Sequence, residues 1–329
     1  MYTSRGLLPV ALGLVIGSAA AQADTGNRLN HLDEFAHPYW VGADTPKLVT
    51  PQWIGEDGIE AVVVLSIDDM RHTGHYEAFL RPILNRLEKI EGRAPLSIFT
   101  NSIDPKDPQL QTWLDQGLSI EVHTTAHPCP CLGKRGLNWA KRTYHGCVDA
   151  LAKIPRNKPV AFRMPCCDSM NSVSPRFFAE TFDQFSPAGN FLEIDSSVFH
   201  LFSPGEQFAQ YVPHDGNFVN LIENYPYPYV IGKFCWELPC SVPSDWEAQA
   251  HHGNNNPRTV TDMKAAIDET VARRGVYTLV FHPHGWITNA QIVELIDHVA
   301  KVHGDKVAFL SMREVRDRLN KNLLGGASL

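Results

Sequence analysis

The chain has 329 residues, enough to bury one large core, and length alone does not call for two domains. Its net charge of −7 is scattered and contains no basic run, which excludes the cationic face that nucleic acid or an anionic membrane would need.

Residues 1–23 have the layout of a secretory signal peptide: Arg5 near the start, an apolar run from Leu7 to Ile16, and small residues ending in Ala21-Gln22-Ala23. The run is too short for a bilayer core of about 30 Å, which needs ~20 apolar residues. No later segment is apolar for long enough to span. An exported protein, secreted or periplasmic and without a membrane span once the leader is removed, is therefore expected. Residues 24–55 read as an irregular lead-in, 56–322 as the folded domain and 323–329 as a tail.

Within the domain, short apolar runs suited to strands buried on both faces occur at 61–67, 95–100, 118–122, 159–163, 191–197, 229–234, 276–281 and 306–310. Helical patterns lie between them. In the clearest, Phe79, Leu80, Ile83, Leu84, Leu87 and Ile90 recur at helical spacing before Gly92. Further helices are predicted over 138–154, 174–185, 262–274, 289–303 and 312–322, and the polar stretch 241–260 reads as a surface loop. Alternation of this kind implies parallel βα units. A distorted (β/α) barrel of seven or eight parallel strands in a single domain is predicted, with an open doubly wound sheet second. Either architecture places a site at the carboxyl ends of the strands.

Titratable groups fall at those ends. Asp68 and Asp69 close the first strand, His123 the third, Arg163 the fourth, Asp195 the fifth and His282 the seventh, while His127 follows His123 by four residues. Taken singly, each has an ordinary structural explanation: an aspartate pair can cap a helix, and loop histidines and a buried arginine can simply be satisfied. Together, at five strand ends, they are hard to explain as packing.

In this order, "SIDDM", "HTTAH", "RMP" and "LVFH" resemble the motifs of the polysaccharide deacetylase superfamily, of the NodB-homology or carbohydrate esterase family 4 type. The likeness runs from about Val62 to His284. It implies a divalent ion on Asp69, His123 and His127, Asp68 as base, Arg163 as the arginine of the R-x-P motif with Pro165, and His282 as acid. One carboxylate and two imidazoles leave positions open for water and substrate, and such an ion activates water and polarises a carbonyl. Arg163 beside Asp68 would keep that carboxylate ionised and oriented. Zinc suits the ligand set, and cobalt or nickel would fit it too. The expected activity is removal of acetyl groups, on nitrogen or oxygen, from an acetylated polysaccharide. A superfamily hydrolase of small or cyclic amides, or a catalytically silent carbohydrate-binding protein, is the alternative.

Other assignments stay open. Asp195 is the first choice to support His282, with Asp245 as its rival, and His284 competes with His282 for the role of acid. Trp139, Tyr144, Trp236, Trp246 and Trp286 are candidates for stacking on sugar rings. The seven cysteines of an exported chain are expected to form disulfides, with an odd one over. Cys235–Cys240 is the first pair expected, and Cys129 or Cys131 is expected to brace the histidine loop, with Cys147 as one partner. The structural rival for that loop is a closed zinc clip of His123, His127, Cys129 and Cys131. The oligomeric state is not legible in the sequence.

Overall fold

The computed structural model describes residues 58–129, 135–167, 177–182, 184–203, 206–211, 221–231 and 235–323. The leader, the lead-in to residue 55 and Cys131 lie outside the described residues. In chain order the elements are β1 (Ala61–Met70), α1 (Thr73–Glu91), β2 (Leu96–Thr100), α2 (Pro108–Gln116), β3 (Ser119–Val122), α3 (Gly136–Leu151), β4 (Ala161–Phe162), β5 (Ile194–Asp195), β6 (Phe199–Leu201), β7 (Leu221–Glu223), β8 (Tyr229–Ile231), β9 (Cys235–Glu237) and β10 (Cys240–Ser241). They continue with α4 (Asp245–His252), α5 (Pro257–Ala272), β11 (Val276–Phe281), α6 (Asn289–Val302), β12 (Val307–Phe309) and α7 (Met312–Leu323).

Seven strands in the order β11-β1-β2-β3-β4-β5-β9 are parallel and curl through 209°, giving the predicted distorted barrel as an open one. β12 also lies parallel to β1, beside its amino-terminal half. The expected strand at 229–234 differs in direction: β8 runs antiparallel to β9 and ends the sheet. A second sheet, β10-β6-β7, stands in the gap, and the Thr278 N–H of β11 donates to Ser241 Oγ of β10 at 3.1 Å. Gly275 is required where the chain enters β11, because a Cβ there would come within 2.5 Å of Pro226 O. Among the described residues no helix is long and apolar enough to cross a membrane.

The period of two along a strand sorts β1 between two cores. Val63, Leu65 and Ile67 join the apolar layer shared with Leu80, Ile83 and Leu87 of α1 and Leu295 and Ile296 of α6. Val62 and Val64 face the barrel interior with Ile194, Trp236, Leu310 and, from α7, Val315 and Leu319. Continued toward the carboxyl end, that inward face carries Ser66 and Asp68. The barrel is thus plugged by hydrocarbon at one end and lined by polar groups at the other.

One helix and the start of another replace expected loop. Ser244 and Glu247 form a reciprocal capping box that starts α4, and Asn256 caps α5 with Pro257 in its first turn. Polar composition hid α4 and the start of α5, whose body lies within the helix predicted over 262–274. The unpredicted α2 starts at the Asp107 cap with Pro108 and stops at left-handed Gly117.

Candidate active site

At the end of β1 the backbone departs from regular pleating. Asp69 has φ 69°, and the register with β2 shifts between Ile67 and Met70. A regular strand would turn residue 69 away from residue 68; the irregularity brings both carboxylates to the same cleft. Asp69 Oδ1 then lies 3.3 Å from His123 Nε2 and 2.8 Å from His127 Nε2.

The loop after β3 sets the two imidazoles. Asn101 Nδ2 donates to His123 O at 2.7 Å and Thr124 O at 3.0 Å, and the His127 N–H donates to Thr124 Oγ1 at 3.1 Å. His123 is buried, and its Nδ1 lies 2.8 Å from Arg163 O, so that nitrogen carries the proton and Nε2 presents its lone pair to the cleft. Asp69 Oδ1 is buried and accepts no hydrogen bond among the described residues. A buried, unbonded carboxylate oxygen with two Nε2 atoms beside it fits a divalent cation, and the three ligand atoms lie within 4.8 Å of one another. Burial alone would raise the pKa of Asp69, but the imidazoles of His123, His127 and His284 gathered round it hold it well below the usual carboxylate range.

Arg163 is fully buried and secures Asp68. Nη1 donates to Asp68 Oδ1 at 2.7 Å and to Ser66 Oγ at 2.9 Å, Nε donates to Ser196 O at 2.9 Å, and Nη2 donates to Ser196 Oγ at 3.0 Å. Its guanidinium also stacks 4.1 Å from the centre of the Phe99 ring. Asp68 Oδ2, the other oxygen, lies 4.0 Å from His123 Nε2.

His282 and its support come from two elements. Asp245 at the start of α4 accepts from the His282 backbone N–H at 2.7 Å and pairs with His282 Nδ1 at 2.9 Å. Burial works against a charged His282, but Asp245 outweighs it and pushes the pKa up to about 9. His282 Nε2 faces the site, 3.9 Å from Asp69 Oδ2. His284 takes a different place, with Nε2 3.2 Å from Asp69 Oδ2.

The expectation for Asp195 is corrected: the partner of His282 is Asp245. Asp195 Oδ1 instead accepts from Ser197 Oγ at 2.6 Å, and that hydroxyl accepts the Met164 N–H at 2.9 Å. Across the strand Asp195 stands beside Glu237, whose pKa is raised by burial and by this neighbouring carboxylate. The pair holds up the wall behind Arg163. The signal that favours Asp245 is the S-x-x-E capping box around it, which fixes an aspartate in the first turn of a helix aimed at the end of β11.

The cysteine expectations change as well. Cys129 bonds Cys166, tying the histidine loop to the turn after Arg163. This removes Cys129 from any zinc clip. Cys147 is a buried thiol directed at Thr100 O, and burial raises its pKa to about 12. Cys235 and Cys240 are not joined. They stand in β9 and β10 of two different sheets, with Cys240 Sγ donating to Ser196 O at 3.1 Å.

The groups surround a cleft of about 240 Å³ lined by Asp68, Asp69, His123, His127, His282, Trp246, Trp286, Phe199 and the Cys129–Cys166 bridge. Trp246 and Trp286 are therefore at the site, whereas Tyr144 and Trp236 are buried core. Trp139 lies on α3 under the Arg135 guanidinium, 4.7 Å from it.

No family model matches the sequence, and no curated relative matches it. Solved structures do. A candidate polysaccharide deacetylase from Mycobacterium smegmatis superposes with a TM-score of 0.55 at 15% identity, covering 88% of this chain and 98% of that one. The chain has the fold of that candidate deacetylase. More distant likenesses are peptidoglycan deacetylase PdaC from Bacillus subtilis (TM-score 0.46, 14% identity, 81% of this chain and 95% of that one) and a family 4 carbohydrate esterase from Streptomyces lividans (0.44, 15%, 76% and 91%). In this fold, the candidate site of the chain occupies the carboxyl ends of the parallel strands.

Proposed function

We propose that the protein is an exported, metal-dependent hydrolase that removes acetyl groups, N- or O-linked, from an acetylated polysaccharide. The observation that carries this reading is the meeting, in one cleft, of an Asp69–His123–His127 ligand set, a carboxylate held by a buried arginine, and an imidazole held by a buried aspartate. A divalent ion there, zinc by its ligands with cobalt or nickel also suited, supplies activation of water and polarisation of the acetyl carbonyl.

The side chains do the rest. Asp68 has one oxygen fixed by Arg163 and the other available to take the proton of the attacking water. His282 keeps its proton near neutral pH, because Asp245 raises its pKa, and Nε2 can deliver that proton to the departing amine or alkoxide as the tetrahedral intermediate collapses. Trp246 and Trp286 give apolar faces on which sugar rings can stack. The signal-like leader and the disulfide beside the site both suit an oxidising compartment.

The test is acetate release by the chain from residue 24 onward, loaded with zinc, on a panel of acetylated glycans. Release that disappears on chelation and in Asp68→Asn is expected. A zinc-loaded protein that releases acetate from none of them would overturn the polysaccharide assignment.

A further inference from the structure

At the other end of the barrel, the chain repeats the ligand chemistry of the cleft. Asp268 on α5, His298 on α6 and His303, the residue that caps α6, offer three ligand atoms within 4.8 Å of one another. Both Nε2 atoms lie 2.7 Å from the same oxygen, Asp268 Oδ1. This is the arrangement seen at Asp69, where one Oδ1 also faces two Nε2 atoms.

We infer that Asp268, His298 and His303 form a second site for a divalent transition-metal ion, clipping α5 to α6. The five-residue spacing would put the two histidines on different faces of a continuous helix. Here α6 ends at Val302, and the turn at His303 brings its ring back beside His298. The two rings are mostly buried, with side chains 17% and 14% exposed, while Asp268 at 45% leaves room for water ligands. Two imidazoles and one carboxylate suit zinc, nickel or copper rather than calcium or magnesium. A second observation favours a cation: Asp268 stands one residue before the last turn of α5, His298 one residue before the last turn of α6 and His303 just beyond it, close to the carbonyl ends of both helices, which carry partial negative charge. With metal–ligand bonds of 2.0–2.2 Å, a tetrahedral ion needs ligand atoms about 3.3 Å apart, a small opening from the present hydrogen-bonding distances.

The site does not depend on the proposed activity, and metal counting separates the two. The metal-free chain from residue 24 onward is dialysed against zinc, and bound metal is measured. Wild type is expected to hold two equivalents, Asp69→Asn one, His298→Ala/His303→Ala one, and the combination none. Zinc should raise the thermal midpoint of Asp69→Asn but not of the combined variant, and acetate release by the histidine pair variant should stay at the wild-type level. Asp268→Asn, which keeps hydrogen-bonding capacity without the charge, should lose the same equivalent and serves if the double variant does not fold. A single equivalent in wild type that vanishes in Asp69→Asn, or a second equivalent that survives in both His298→Ala/His303→Ala and Asp268→Asn, would overturn the second site. A single equivalent lost only with His298 and His303 would instead overturn the cleft as the metal site.

Discussion

The wall from β11 through β3 and the wall from β4 through β10 are built differently. Strands in the first have four to ten residues, and ladder hydrogen bonds with the period of two decide where each side chain points. Strands in the second have two or three residues, too few to fix anything by ladder alone. Buried polar side chains fix them instead. Arg163 spans β1 and the turn after β5, and Glu237 accepts the N–H groups of Ser197 and Val198 at 3.2 and 3.1 Å. The long-stranded wall carries the proposed ligands, base and acid, while the short-stranded wall and the helix after it hold Asp68, Met164 and His282 in place. One wall supplies reactive groups, and the other supplies their orientation.

This division can be broken by substitution. Asp69→Asn on the long-stranded side removes the only charged ligand of its set. The several kcal/mol that a bound ion contributes to the transition state correspond to on the order of a thousandfold in acetate release. The metal-free protein should lose less stability than it does with Arg163→Met, since Asp69 gives up only its contacts with the imidazoles of His123, His127 and His284 at the open cleft. Arg163→Met should behave in the opposite way. It leaves Asp68 buried without its partner, so the chain should lose about 3–5 kcal/mol in urea unfolding. If Arg163→Met costs activity alone and leaves the unfolding midpoint in place, the orienting role of that wall is wrong. Replacing Cys129 and Cys166 by serine should cost less, about 2–4 kcal/mol. That loss should match the effect of adding reductant to the wild-type chain.

How far the sequence could be read follows the same line. Asp68, Asp69, His123, His127, Arg163 and His282 all end strands long or apolar enough to recognise, or sit in motifs of known order, and the structure brings five of them to one cleft and buries Arg163 behind Asp68. Gly92 stops α1 in the left-handed conformation, as its place after a periodic helix suggests. The misreadings fall where local pattern does not decide. Asp195 ends a strand as Asp68 does, but its direction depends on Ser197 and Glu237, which come from outside that strand. Cys235 and Cys240 close a short loop in sequence, yet the chain changes sheets between them. Asp268 belongs to no motif, and nothing in the spacing of His298 and His303 places it between them.

The finest test compares two aspartates in metal-free protein, with His282 followed by NMR titration. In wild type its pKa is pushed up to about 9 by Asp245 against the effect of burial. A histidine whose pKa is raised on folding stabilises the fold fully below its unfolded value of about 6.5, and that contribution is lost as pH rises through about 9. Asp245→Asn should bring the titration down toward or below the ordinary value, because burial then acts without its counterweight. It should also remove the associated loss of stability between about pH 6.5 and 9. Asp195→Asn should leave the His282 titration where it is, because the Asp195 side chain engages Ser197 and Glu237. Were Asp195→Asn to lower the titration while Asp245→Asn left it near 9, the acid would be held by the short-stranded wall after all. A shift in Asp245→Asn alone places its support at the start of α4, the helix that sequence composition had concealed.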